Sequence, residues 1–420
     1  MVRKTVLDNG LRLLSRRLEG TRAVSLGIWI DSGSRDEPES KEGITHFLEH
    51  MFFKGTRRRS THDIAVELDL LGGHSNAYTT KEYLCFYAKV LNTHLPKLLD
   101  IFFDILLDST MDENELEKER FVILQEIKMV DDSPEDCIHS LLCEKFWQGN
   151  PLGHPVCGYR DSIGRLTRSD LLQFKDSLLH PGQIVLAAAG AIDHDELVSW
   201  VAPVLGTLKE NGRGRPERVR PDHTVFREAV CRELEQTHFC LAMPGVSFRD
   251  EDRFAVYLAN TIFGSSMSSR LFQEIRERRG LAYSVYSFVN CYEDTGMFGI
   301  YAAVSPENLG ETFNVVISEL EALVERGVSQ EELKRAKDCV IGNMYLNLDS
   351  TDAHMSRIAR NELLYGCDVR PEEIEKKVQQ VTAEDIQRYL RHSYQRDCLS
   401  ILILGSDADN ALQSVTRNLF

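Results

Sequence analysis

The sequence predicts an α+β protein made of two copies of one α/β plan, and three observations carry that prediction. The chain has 420 residues, a length that points to two or three domains rather than one core. Segments of helical period and of strand-like alternation interleave along its whole length. The order of elements also recurs. Leu166-Thr167-Arg168-Ser169-Asp170-Leu171, then Phe174 and the apolar run 184–190, is echoed by Val381-Thr382-Ala383-Glu384-Asp385-Ile386, then Tyr389 and the run 399–405. The offset is 215 residues without a gap. Glu115-Leu116 before Val122-Ile123 resembles Glu332-Leu333 before Val340-Ile341 at an offset of about 217. The expected domains are residues 1–210 and 222–420. Between them, residues 211–221 read as a linker, with Gly212, Gly214, Pro216 and Pro221 among four arginines and no apolar periodicity.

Taken in order, residues 4–17 form a hairpin turning at Asp8-Asn9-Gly10, and 24–30 alternate as a strand. A helix is expected from 42 to 53. Arg57-Arg58-Arg59 reads as a solvated turn. Residues 60–71 are helical by period and end at Gly72-Gly73; 76–90, rich in Tyr, Thr, Phe and Val, are extended. A strongly apolar helix follows at 95–107. Another, 112–130, opens with acidic residues that complement the helix dipole, and a third spans 135–147. A helix at 167–179 and a buried strand at 184–189 complete the first copy. Beyond the linker come a strand at 237–243, helices at 252–263 and 268–279, strands at 281–290 and 297–304, and long helices at 310–326 and 330–348.

Composition narrows the function. Hydrophobic content of 42% and charged content of 27% describe an ordinary globular protein. A net charge of −16 argues against nucleic acid as a partner, because phosphate binding needs a basic face. It is compatible with basic substrates. The ten cysteines show no CxxC pair and several lie in apolar runs, such as Cys85 in Tyr83-Leu84-Cys85-Phe86-Tyr87. They read as reduced thiols. With no leader-like segment and no apolar run of about 18 residues, the expectation is a cytoplasmic protein without a membrane partner.

The chemistry concentrates in Thr45-His46-Phe47-Leu48-Glu49-His50-Met51. Two histidines four apart share one helical face, and the HxxEH order is the inverted form of a zinc signature. His46 and His50 can offer a metal two imidazole nitrogens. A catalytic zinc keeps a third protein ligand and a water. Glu49 points about a hundred degrees of helix rotation away from His50, so it is placed to reach that water as a general base. Ile44, Phe47, Leu48, Met51 and Phe52 make the flanks apolar, and polar groups inside such a helix need partners. For the third ligand the helix at 112–130 offers Glu119 and Glu126, seven residues apart on one face. Val122, Ile123, Leu124 and Ile127 around Glu126 suggest a carboxylate turned into a core. Glu117-Lys118-Glu119-Arg120 also reads as a solvated face. The second copy lacks an HxxEH helix and has Ala336-Lys337 where the first has Glu119, so one half carries the chemistry.

On these residues the chain resembles the pitrilysin–insulinase family of zinc peptidases, the inverzincins. The likeness is greatest to small bacterial members and to the mitochondrial processing peptidase β subunit. The family pattern is HxxEH, a glutamate about 76 positions after the second histidine, and another glutamate seven before that. His46, Glu49, His50, Glu119 and Glu126 fall on it. The resemblance implies one zinc per chain held by His46, His50 and Glu126, with Glu49 as general base and Glu119 assisting. Asn76-Ala77-Tyr78-Thr79 after Gly72-Gly73 is similar to the family's edge strand, on which an extended peptide adds by backbone pairing. Arg276 and Tyr283, in Arg276-Glu277-Arg278-Arg279-Gly280-Leu281-Ala282-Tyr283, resemble the element that holds the substrate backbone and steadies the developing oxyanion. His74 matches no family role, and its bland reading as a residue at the start of the strand is favoured over substrate contact.

The resemblance further implies a clamshell of which this chain is one half. Each of its two domains would then hold a mixed, mostly antiparallel sheet with helices packed on it. A homodimer, or a heterodimer with a related chain, would close the chamber around peptide substrates. The expected activity is that of a zinc metalloendopeptidase on short or unfolded peptides. The alternative is a catalytically silent peptide-binding or assembly subunit, which the family also contains and which usually has a degraded metal motif.

Overall fold

In a computed structural model the described residues are 1–209 and 214–417; Glu210 and the start of the expected linker, 211–213, lie outside them. The fold is mixed α and β, with two mixed sheets. The first sheet uses β1 (Val2–Val6), β2 (Arg12–Arg17), β3 (Ala23–Ile30), β4 (His74–Thr79), β5 (Leu84–Leu91) and β6 (Ile184–Gly190). Its order is β1-β2-β6-β3-β5-β4. The second uses β7 (Arg227–Cys231), β8 (Thr237–Pro244), β9 (Ala282–Cys291), β10 (Gly296–Val304) and β11 (Ser400–Gly405), in the order β7-β11-β8-β10-β9. Apart from the added β1, the two orders are the same. Among the described residues, each sheet has one parallel pair, and it is the corresponding one, β2 with β6 and β7 with β11.

The repeat seen in the sequence is therefore a repeat of topology. Its best-matched segments are also built alike. Thr167 and Asp170 form a capping box that starts one helix, and Thr382 and Asp385 form the same box on the other.

The compact units are not the contiguous stretches 1–210 and 222–420. One comprises Met1–Met129, His154–Val219 and Asn347–Val369; the other comprises Val130–Gly153, Arg220–Leu346 and Arg370–Phe420. Each half of the chain lends a helix to the other unit. The reason is burial. Central strands such as β6 and β10 are buried along their whole length, so each sheet needs cover on both faces. In the first unit the helix Thr351–Tyr365 supplies Met355, Ile358 and Ala359 to a cluster with Leu14, Trp29, Cys85, Val185, Ala187 and Ala189. In the second, the helix Pro134–Phe146 packs Ile138, Leu142 and Phe146 against Cys240, Met297, Tyr301 and Leu402. Both helices follow a serine cap, Ser133 or Ser350.

Helices α1 (Ile44–Phe52), α2 (Thr61–Leu71), α3 (Leu95–Asp108) and α4 (Glu113–Asp132) belong to the first half of the chain. α1 and α3 bury their apolar stripes on the opposite face of the first sheet. Two expectations change. Arg59 is not part of a solvated turn: it is buried and pairs with Glu67, Asp100 and Asp104, while the exposed Arg58 pairs with the same two aspartates. Arg57 and Arg58 remain exposed. The stretch expected as an α-helix at 268–279 is a π-helical turn over Phe272–Arg278. Among the described residues no helix is long and apolar enough to cross a membrane.

Replacing Ile358, fully buried on the first sheet, by Ala is expected to lower the first unit's unfolding free energy by about 2–5 kcal/mol. Denaturant unfolding measures this, and a loss near zero would show that the lent helix is not part of that unit's core.

Candidate metal centre

α1 starts at Gly43, whose φ of 89° suits glycine and whose missing Cβ leaves room for the Cys157 carbonyl. The helix buries Ile44, Phe47, Leu48, Met51 and Phe52. That burial turns its other face, with His46 and His50, toward α4. Their rings meet edge to face at 4.7 Å. The nearest Nε2–Oε2 distances from Glu126 are 3.6 Å to each histidine. One ligand atom from each of His46, His50 and Glu126 lies within 4.8 Å of the other two.

Two imidazole nitrogens and one carboxylate oxygen form a donor set that suits zinc and leaves a fourth position open. Bonds of about 2.0–2.1 Å in tetrahedral geometry place neighbouring ligand atoms about 3.3 Å apart, so the observed spacing needs little adjustment. Glu126 is not turned into a core, as its apolar neighbours suggested. Its side chain is 38% exposed, while Leu116, Glu119 and Ile123 form the buried side of α4.

Glu119 is buried and meets His50 from behind, with Oε2 3.0 Å from Nδ1. With the ionised carboxylate as acceptor, Nδ1–H is the donor, which leaves the Nε2 lone pair for a metal. Lys54 holds the other oxygen of Glu119 at 2.7 Å. Glu119 thus touches the site through His50. His46 Nδ1 is buried without a hydrogen-bond partner. Burial, helped by the neighbouring His50, lowers the His46 pKa to about 4, so its ring is neutral and ready as a ligand.

Glu49 lies beside these groups and accepts a hydrogen bond from the Thr79 hydroxyl at 2.5 Å. Burial raises its pKa, Glu126 adds to the rise, and Thr79 and His50 oppose it. A carboxylate pushed upward next to a metal-type donor set has the character of a general base. Neither Thr79 nor Lys54 was singled out in the sequence; a threonine two residues beyond Ala77 carries no signal until the strand is placed against α1.

β4, carrying Asn76, Ala77 and Thr79, is at the edge of its sheet and, among the described residues, pairs only with β5. Ala77 is buried and Asn76 is exposed. His74 opens the strand, with its ring 5.9 Å from Tyr87 and Nε2 4.0 Å from Asp352, away from the metal-type cluster. Arg276 and Tyr283 belong to the second unit. The Arg276 guanidinium lies 4.3 Å from the centre of the Tyr283 ring and donates to the Tyr283 carbonyl. The Tyr283 side chain remains largely exposed.

Residues 12–159 match the family described as insulinase, peptidase family M16, and residues 165–339 match the domain described as the peptidase M16 inactive domain. An uncharacterized zinc protease of Streptomyces coelicolor is 39% identical over 398 residues, covering 93% of this chain and 86% of that protein. The uncharacterized zinc protease YmxG of Bacillus subtilis is 36% identical over 406 residues, covering 97% and 99%. Among solved structures, a protease from Helicobacter pylori superposes with a TM-score of 0.89 at 21% identity, covering 96% of this chain and 99% of that one. A peptidase M16 inactive domain from Pseudomonas fluorescens gives 0.89 at 20% identity, covering 96% and 98%. At those identities the structural likeness speaks for the fold.

The lowered pKa of His46 has a stability consequence. In the metal-free chain an unfolded His46 takes up a proton near pH 6.5, whereas the folded one does so only near pH 4. The folded state is expected to lose stability as pH falls through that window. Urea unfolding of metal-free protein between pH 8 and pH 5 checks this; His46→Gln should flatten the slope, and an unchanged slope would exclude the assignment.

Proposed function

Because the chain belongs to the insulinase family, peptidase family M16, we propose that it is a zinc metalloendopeptidase acting on short or unfolded, extended peptides. The observation that carries this reading is the convergence of His46, His50 and Glu126 within 4.8 Å, with Glu49 beside them. When bound, zinc would polarise the scissile carbonyl and acidify the attacking water. In this reading the chain's own residues do the rest. The free edge of β4 takes the substrate backbone as an added strand, which favours extended peptide over folded protein. Glu49 accepts the proton as water adds to the carbonyl carbon. It returns that proton to the leaving amine as the C–N bond breaks. Thr79 keeps Glu49 aimed, and Glu119 acts through His50 by fixing its ring.

The reading includes assembly. Arg276 and the exposed Tyr283 are a ready-made grip for a peptide backbone, and we assign them to substrate held with a second copy of this chain or a related chain. The cytoplasm is the proposed location, with no nucleic acid or membrane as partner. The intact donor set disfavours the alternative of a silent peptide-binding subunit.

Glu49→Gln keeps the side chain's shape but removes the base. It is expected to cut kcat on a quenched fluorescent peptide by about 10²–10⁴-fold while zinc content and peptide binding persist. Wild-type turnover in that variant would refute the mechanism. Light scattering after size exclusion should give a dimer; a strictly monomeric and fully active chain would exclude the shared assembly.

A further inference from the structure

The turn before α1 ties three parts of the first unit together. α1 has no side-chain cap of its own, because Gly43 occupies the cap position. The buried Glu37 carboxylate replaces it, accepting from the Gly43 N–H at 2.6 Å and from the Thr45 N–H at 2.8 Å. One residue earlier, Asp36 takes Arg218 in a two-point grip of 2.8 and 2.7 Å. Arg218 also donates to the Glu82 carbonyl, and Arg35 donates to the Glu82 carboxylate and to the Val219 carbonyl.

The same turn closes on the loop that follows β4. Ser34 N–H donates to the Thr80 carbonyl and Arg35 N–H to the Lys81 carbonyl. The approach is so close that a Cβ on Gly33 would stand 2.5 Å from the Glu82 nitrogen. Thr79, at the end of β4, is the residue that holds Glu49. Arg218 comes from the stretch that composition reads as a linker, yet its side chain is only 6% exposed.

We propose that Arg218, Asp36 and Glu37 form a clasp by which the linker positions the metal-holding helix against the open edge strand. Arg218 and Glu37 are then positioning residues for the peptidase reaction. A nine-residue helix does not hold its shape alone, and its first N–H groups need acceptors. Here the acceptor, Glu37, adjoins a carboxylate fixed by a two-point arginine contact, a geometry that lysine cannot reproduce. The clasp reaches both sides of the site, α1 through Glu37 and the end of β4 through the 80–82 loop. Small shifts between those elements change the distance from Glu49 to any bound peptide, and such shifts are costly to turnover.

The inference rests on the peptidase reading above, and the test separates the two. Arg218→Lys and Glu37→Gln are made in the full chain. Zinc affinity is read by competition with a chromogenic chelator, amide exchange by mass spectrometry, and kcat and KM on a quenched peptide. Each variant is expected to bind zinc about tenfold more weakly and to exchange faster within 44–52 and 79–83. Exchange in β6 and β11 should be unchanged, and kcat should fall more than KM rises. General destabilisation would instead raise exchange in β6 as well, and that result overturns the clasp. So do variants that match wild type in zinc affinity and in exchange over 44–52. If wild type cleaves peptide while both variants match it, the clasp alone fails. If wild type binds no zinc, the peptidase reading fails and the clasp's role goes with it.

Discussion

The contact on which the site depends is the one between α1 and α4. A helix whose apolar face is fully buried carries two imidazoles and a carboxylate on the rest of its surface. Left without partners, buried polar groups of this kind cost about 1–3 kcal/mol each. α4 answers the imidazoles, with Glu119 hydrogen-bonded to the Nδ1 of His50 and Glu126 3.6 Å from each Nε2, while Thr79 of β4 answers Glu49. His46 Nδ1 is the group that this arrangement leaves without a partner. The packing that seats these polar groups is also the one that gathers the three metal-type ligand atoms within 4.8 Å of one another, so folding itself assembles the cluster.

That contact is possible because each sheet is covered on both faces. The first sheet has α1 and α3 on one side and the helix Thr351–Tyr365 on the other. Thr351 and Asp352 at the start of that helix hydrogen-bond Ser25 of β3, and Asp352 pairs with Lys89 of β5. β3 and β5, the second of which pairs with β4, are therefore pinned from behind by residues far along the chain. The edge strand inherits this rigidity through its pairing with β5, while its own outer side stays open.

Much of this was legible in the sequence, for identifiable reasons. The 215-residue offset reflects capping boxes and buried strands that local chemistry writes directly into Thr167, Asp170, Thr382 and Asp385. His46 and His50 were visible because helical spacing alone sets their common face. Glu126 was harder: its apolar neighbours Val122 and Leu124 suggested a core-facing helix side, but Val122 is itself exposed. The exchange of helices between units was not legible, since nothing in a serine-capped amphipathic segment says which sheet it covers. Nor was the burial of Arg218, which depends on Asp36 being brought to it from 182 residues away.

The second unit shows what the same scaffold does without the metal-type residues. Its edge strand, β9, packs against the helix Arg253–Phe263 as β4 packs against α1. Where Thr79 holds the Glu49 carboxylate, Ser287 of β9 donates to the Asn260 side-chain oxygen at 2.6 Å. The strand-to-helix latch is thus present in both copies, and only in the first is the accepting group ionisable. A neutral amide can fix a strand against a helix but cannot take a proton from water at neutral pH. The latch itself is therefore architectural. In the proposed reading, peptidase chemistry at Glu49 would depend on adding to that latch a carboxylate, two histidines on the same helix, and a second helix that meets them.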